Sequence, residues 1–281
     1  MTKVLAPGAA CVIPEMLGGL PVTELADRAL ARQEIREVYL PKTLKRIGRY
    51  GFYNCEKLEI LHFYAETREI GGGIFNGCGR IREIHIHMGE DERSALRDFV
   101  TEITGRLVVH YYIPDGPGGE REAARLVFPE YYDEAIENTP ARNLSFSIHG
   151  SGQKYRYCFG DRKVRFELYD KVFVHEVIEE STEDAAEIAV NRLMFPHGLW
   201  EDAREHYEKF LAENFFSVMD MSLRDLERFK WLVARAEGKL SEEELNRLIR
   251  KASSERLAEV SGTLMDLRYR QYPPKKKKFE F

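Results

Sequence analysis

His62 and His85 stand 23 residues apart, and so do His87 and His110. Four of the eight histidines thus recur at one step, and Tyr39 and Tyr64 each precede one of them by the same step. Imidazole at repeated positions can serve three ends. It can ligate zinc, copper or nickel. With tyrosine it can form a recognition surface of apolar bodies and polar tips. It can also merely fit the pleated, half-buried positions of a surface sheet. No HExxH and no Cys/His ligand spacing accompanies these residues, and the nearest acids, Glu59 and Glu83, fall beside them rather than among them. No metal ligand set is therefore assigned.

Two other stretches could carry chemistry. His149-Gly150-Ser151-Gly152 could cradle an anion, but it lacks the Lys-Ser/Thr of a P-loop and the spacing of a dinucleotide fingerprint. Ser151 or Cys158 could act as a nucleophile with His149 or His175 as base, yet the spacing does not demand it. A tight turn joining strands at Leu144–Ile148 and Lys154–Phe159 is the simpler expectation. The chain ends with Lys275, Lys276, Lys277 and Lys278 followed by Phe279 and Phe281. That tail reads as a solvated tether, as a motif adding to a partner's sheet edge, or as a weak, salt-sensitive contact with nucleic acid or anionic lipid. No catalytic residue and no cofactor is assigned.

The 23-residue step belongs to more than the histidines. Ile47, Phe52, Cys55, Leu58 and Leu61 are followed one step later by Ile70, Phe75, Cys78, Ile81 and Ile84. A fixed period in this range marks a solenoid, whose small units must stack to cover their apolar faces. Side chains alternate along a strand, so Leu61 and Phe63 face one way and His62 the other. Stacking in register predicts one outward column of Tyr39, His62, His85 and Val108, and a second of Pro41, Tyr64, His87 and His110. Adjacent strands lie about 4.8 Å apart, and same-face neighbours along a strand about 7 Å. Asp91 to Ile103 carries Ala95, Phe99 and Ile103 at helical spacing and predicts a helix capping the stack, with a fourth strand at Leu107–Val109.

Val12-Ile13-Pro14, Leu20-Pro21-Val22-Thr23-Glu24-Leu25 and Leu40-Pro41-Lys42-Thr43-Leu44-Lys45-Arg46-Ile47-Gly48, with Phe52 and Asn54-Cys55 at their offsets, resemble the BspA-type leucine-rich repeat over residues 12–86. The resemblance implies a curved solenoid with one short parallel strand per repeat and a role in contact with proteins or ligands. Many members of that family are secreted. Met1 to Gly19 shows no secretory signal, and no apolar run is long enough to span a membrane, so the cytoplasm is the expected location.

The net charge of -5 argues against nucleic acid as a partner of the whole surface. Cys11, Cys55, Cys78 and Cys158 are widely spaced with no CxxC, which suits free thiols. Pro114-Asp115-Gly116-Pro117-Gly118-Gly119 predicts a boundary, followed by helices at Glu120–Val127 and about 128–136. Phe166, Tyr169, Asp170, Phe173, Val174 and Val177 read as one helix face. From Ser181 the period is 3.6, predicting helices at Thr182–Phe195, Glu201–Phe216, Leu223–Ala236, from the Ser241–Glu244 capping box onward, and at about 255–269. The last pair is similar to an ankyrin repeat without its Thr-Pro-Leu-His opening.

The expected fold is α+β: a short leucine-rich-repeat solenoid with a parallel β-sheet, then a mostly helical domain of stacked hairpins. The expected domains are a solenoid (1–113), a mixed connector (114–180), helical hairpins (181–271) and a basic tail (272–281). The expected function is a non-enzymatic scaffold that binds a protein partner through Tyr39, His62, Tyr64, His85, His87 and His110. A metal-binding protein or metal-dependent hydrolase using the same histidines is the alternative.

Overall fold

The computed structural model describes residues 9–138, 143–176 and 181–273. The chain divides into two compact units, residues 1–203 and 204–281. The first is built on a six-stranded sheet. Strands β1 (Ala10–Val12), β2 (Glu37–Tyr39), β3 (Ile60–Tyr64), β4 (Glu83–His87) and β5 (Leu107–Pro114) lie parallel in that order. β6 (Glu120–Phe128) closes the sheet antiparallel to β5. Leu61 and Phe63 of β3, Ile84 and Ile86 of β4, and Val109 and Tyr111 of β5 are buried on the inner face, while the residues between them are half-exposed. Each repeat thus alternates as a strand covered on one side must.

A second, narrower sheet, Glu24–Leu25, Arg46–Ile47 and Glu69–Ile70, forms the opposite wall of the solenoid. Here the coils touch backbone to backbone. A Cβ at Gly48 would lie 2.4 Å from the Asp27 nitrogen, and one at Gly71 would lie 2.3 Å from the Arg49 nitrogen. The Ile47-Gly48 and Ile70-Gly71 pairs are therefore a close-approach requirement. Between the walls Phe52 stacks on Phe75, and Phe99 packs against Phe75 at a tilt of 39°. The Cys55 thiol donates to the Leu30 carbonyl, and Cys78 does the same to Phe52. All four cysteines are free and buried.

The end of the stack follows the expected plan in part. Helix α1 (Leu96–Glu102) sits inside the expected helical stretch and inserts Phe99 under Phe63 and Phe75. Its Glu102 carboxylate accepts from the Gly73 and Phe75 amides of the last loop. Beyond it, four expectations are corrected. Pro114 to Gly119 is the connection of a hairpin, and Glu120–Val127 is a strand, not a helix. Glu, Arg and Ala favour a helix, but Ala123 to Phe128 are buried without a break, and a strand covered on both faces shows no period. The stretch after Phe128 is also strand: Tyr132–Asn138 pairs antiparallel with Asn143–His149. The expected hairpin between Leu144–Ile148 and Lys154–Phe159 is absent for that reason, and a short helix α2 (Gly152–Arg156) follows Ser151.

Helices α3 (Phe166–Glu176) and α4 (Thr182–Met194) complete the unit. The Tyr169 hydroxyl accepts from the Val127 amide and donates to the Val127 carbonyl, which blunts the outer edge of β6. Asp170 and Arg192, both fully buried, pair at 2.8 Å and join α3 to α4.

The second unit contains helices throughout its described residues. The expected helix Glu201–Phe216 is two, α5 (Glu201–Glu213) and α6 (Phe215–Met221), broken at Asn214, whose amide side chain donates to the Phe210 carbonyl. Asp225 caps α7 (Leu226–Val233), and the Ser241–Glu244 capping box opens α8 (Glu242–Ser254). Leu245, Leu248 and Ala252 of α8 and Leu264 of α9 (Ala258–Gln271) are buried, and α8 packs on α9.

Candidate docking face on the repeat sheet

The outer face of the large sheet carries two rows of stacked rings. In the first, Tyr39, His62, His85 and His110 occupy successive strands in register. Their centroids are 4.1, 4.3 and 4.3 Å apart, with planes 8°, 14° and 5° from parallel. In the second, Tyr64, His87 and Tyr112 stack at 4.7 and 5.0 Å. Strand spacing makes this possible: neighbouring same-row residues lie about 4.8 Å apart, close to the preferred offset-stacking distance.

The two expected columns are corrected at their last member. Val108 pairs with Glu83, and His110 pairs with His85, so His110 belongs to the first row; Tyr112 completes the second. The spacing from His85 to His110 is 25 residues, because α1 replaces the repeat loop and returns the chain two residues late. A shift of two keeps every side chain on its face.

The rings spend their faces on each other and show their edges. Side-chain exposure is 16% for His62, 17% for His85, 18% for His87 and 16% for His110, while Tyr39 at the row's end is 37% exposed. Carboxylates hold the edges. Glu37 accepts from the Tyr39 hydroxyl at 2.7 Å and from His62 Nε2 at 2.9 Å. Glu120 takes His87 Nδ1 at 2.9 Å, and Glu122 takes His110 Nδ1 at 2.8 Å and the Arg125 guanidinium at 2.7 Å. Glu83 lies 3.7 Å from His85, whose other nitrogen meets the Tyr112 hydroxyl at 3.2 Å. Arg125 ends the row beneath Phe195, 4.4 Å from its ring centre.

These contacts set the charges. The Tyr39 hydroxyl lowers the Glu37 pKa, and the His85 hydrogen bond lowers that of Glu83. Burial works against ionised Glu122, but the hydrogen bonds from Arg125 and His110 outweigh it and bring the group down to about 2. Burial lowers the pKa of His62, so that ring is neutral at pH 7. Two imidazolium charges stacked about 4 Å apart would repel by about 4 kcal/mol at an effective dielectric of 20.

Residues 23–94 match the family model described as BspA type Leucine rich repeat region (6 copies). The repeat array is of the BspA leucine-rich type. A solved leucine-rich repeat protein from T. pallidum is similar at 20% identity over 34% of this chain and 67% of that one, with a TM-score of 0.20. No curated protein matches the chain. The family match stops at residue 94, so it lends nothing to an ankyrin-like end of the chain.

The metal reading of this leucine-rich face fails on direction. Donor atoms of Glu83, His85 and His110 do lie within 4.8 Å of one another. An imidazole nitrogen, however, offers its lone pair in the plane of the ring. The planes of His85 and His110 are 5° from parallel and stacked, so their lone pairs run side by side. They do not meet at a point about 2.1 Å from both nitrogens, as zinc requires.

The remaining candidates are placed apart from the repeat face. Ser151 is buried at the start of α2. Cys158 is buried, donates to the Lys154 carbonyl, and burial pushes its thiol up to about 12, far from a thiolate nucleophile. His149 stacks on Tyr132, and His175 is near the exposed end of α3. Lys275, Lys276, Lys277, Lys278, Phe279 and Phe281 lie outside the described residues. Among the described residues no helix is long and apolar enough to cross a membrane.

Sequence reasoning set Glu83 beside the columns and missed the other acids that organise the face, Glu37, Glu120 and Glu122. Glu37 and Glu83 are two repeat steps apart and two residues before Tyr39 and His85, a signal that was readable. Glu120, Glu122 and Arg125 reach the face only through the β5–β6 hairpin, which the helix-like composition of that stretch conceals.

Proposed function

We propose that this chain is a protein-docking scaffold whose partner lies against the ring rows of the repeat sheet, on Tyr39, His62, Tyr64, His85, His87, His110 and Tyr112. Leucine-rich repeat regions serve protein contact in general, and the family match supports that much. The observation that favours this face is the pair of stacked rows. Seven aromatic rings locked by their neighbours and by Glu37, Glu83, Glu120 and Glu122 give a contact area that loses little side-chain entropy on binding. Their edges supply donors and acceptors at fixed spacing, which suits recognition without turnover.

The test is quantitative affinity capture with the wild-type chain and with a Tyr39→Ala/His85→Ala double variant of matched thermal midpoint. A partner retained by the wild type and lost at least tenfold by the double variant supports the reading. Equal retention of every captured protein overturns it.

A further inference from the structure

The ring rows carry an excess of negative charge. Glu37, Glu83, Glu120 and Glu122 touch the rings; Arg125 in the first row pairs with Glu122, and Arg82 pairs with Glu83 and Glu59. These five carboxylates against two guanidinium groups leave three negative charges. The surrounding groups do not reverse it. Lys42 faces Glu66, and Glu15 adds its charge on the Tyr64 side. Tyr39, Tyr64 and Tyr112 are uncharged at neutral pH. The inner face below the rings is apolar, with Leu61, Phe63, Ile84, Ile86 and Val109.

We infer that the face takes an extended, cationic segment of its protein partner. The inference rests on the docking reading above and adds the partner's chemistry. Glu37 and Glu83 are in register with Ile60 between them, two strand spacings or about 10 Å apart. Two basic side chains of one extended segment can meet them while its backbone crosses the ring edges. A guanidinium suits the site best, because its fork of N–H donors matches a carboxylate and its plane can lie on Tyr39, the exposed end of the row.

The experiment measures fluorescence anisotropy of two labelled ten-residue peptides, one alternating arginine and serine and one alternating glutamate and serine, with the full chain at a fixed ionic strength of about 0.1 M. The arginine peptide is expected to bind at least tenfold tighter than the glutamate peptide at pH 7.5. It weakens at least fivefold with Glu37→Gln/Glu83→Gln and is unchanged by Glu242→Gln/Glu243→Gln on α8. No preference for arginine, or a preference that survives Glu37→Gln/Glu83→Gln, overturns the inference. A captured partner still lost by Tyr39→Ala/His85→Ala would then leave the docking reading standing, whereas a partner indifferent to that variant removes both.

Discussion

His85 and His110 stack with their centroids 4.3 Å apart and planes 5° from parallel, although 25 residues separate them where Tyr39, His62 and His85 follow at 23. The row of rings therefore outlasts the repeat that began it. Position in the sheet, not sequence phase, decides which side chains meet.

A double-mutant cycle reads that contact directly. His85→Ala and His110→Ala are expected to show a coupling of about 0.5–1.5 kcal/mol in urea unfolding, as stacked rings do. His62→Ala and His110→Ala, which do not touch, should add within about 0.5 kcal/mol. Equal coupling in both cycles would deny the row.

The narrow wall of the solenoid offers a second test. Gly71→Ala forces a methyl group against the Arg49 backbone, whereas Gly72 has nothing within 4 Å of an added Cβ. Gly71→Ala should lower stability by about 2–3 kcal/mol, the upper range for an overpacked site, because the obstacle is backbone. Gly72→Ala should leave the urea midpoint nearly unchanged.

Acid should weaken the first unit in two stages. The folded-state pKa of His62 lies below its ordinary value of 6.5, so protons bind the unfolded chain more readily. Its contribution is complete above about pH 6.5 and declines as pH falls toward the lower folded value. Glu37, Glu83 and Glu122 are depressed from 4.5, so their contribution is complete above about pH 4.5 and is lost below, down to about 2 for Glu122. Thermal midpoints from pH 8 to 3 should show both declines, and His62→Gln should flatten the upper one alone.

Zinc separates stacking from coordination. Because the lone pairs of His85 and His110 run parallel, micromolar zinc should not raise the thermal midpoint, and His85→Ala should not alter that response. A rise of several degrees that His85→Ala removes would mean the rings can rotate into a chelating arrangement.

The solenoid was legible because stacking writes itself into the sequence: Ile47 to Ile70 and Leu61 to Ile84 are one step apart and lie in register. The face was legible to the same depth, through Tyr39, His62 and His85. Legibility ended where the repeat did. The return after α1 came two residues late, so Val108 was expected where His110 stands and His110 where Tyr112 stands. β6 was hidden because buried Ala123 to Phe128 show neither period, and its Glu and Arg residues favour a helix in isolation. Tertiary pairing with β5 overrode local preference, and it carried Glu122 and Arg125 to the site.

The most direct test is hydroxyl-radical footprinting of the chain alone and with its captured partner. The account predicts protection concentrated on His62, Tyr64, His85, His87 and Tyr112, with unchanged labelling of exposed Met265 on α9. Full labelling of those rings in the complex, with protection elsewhere, would contradict it.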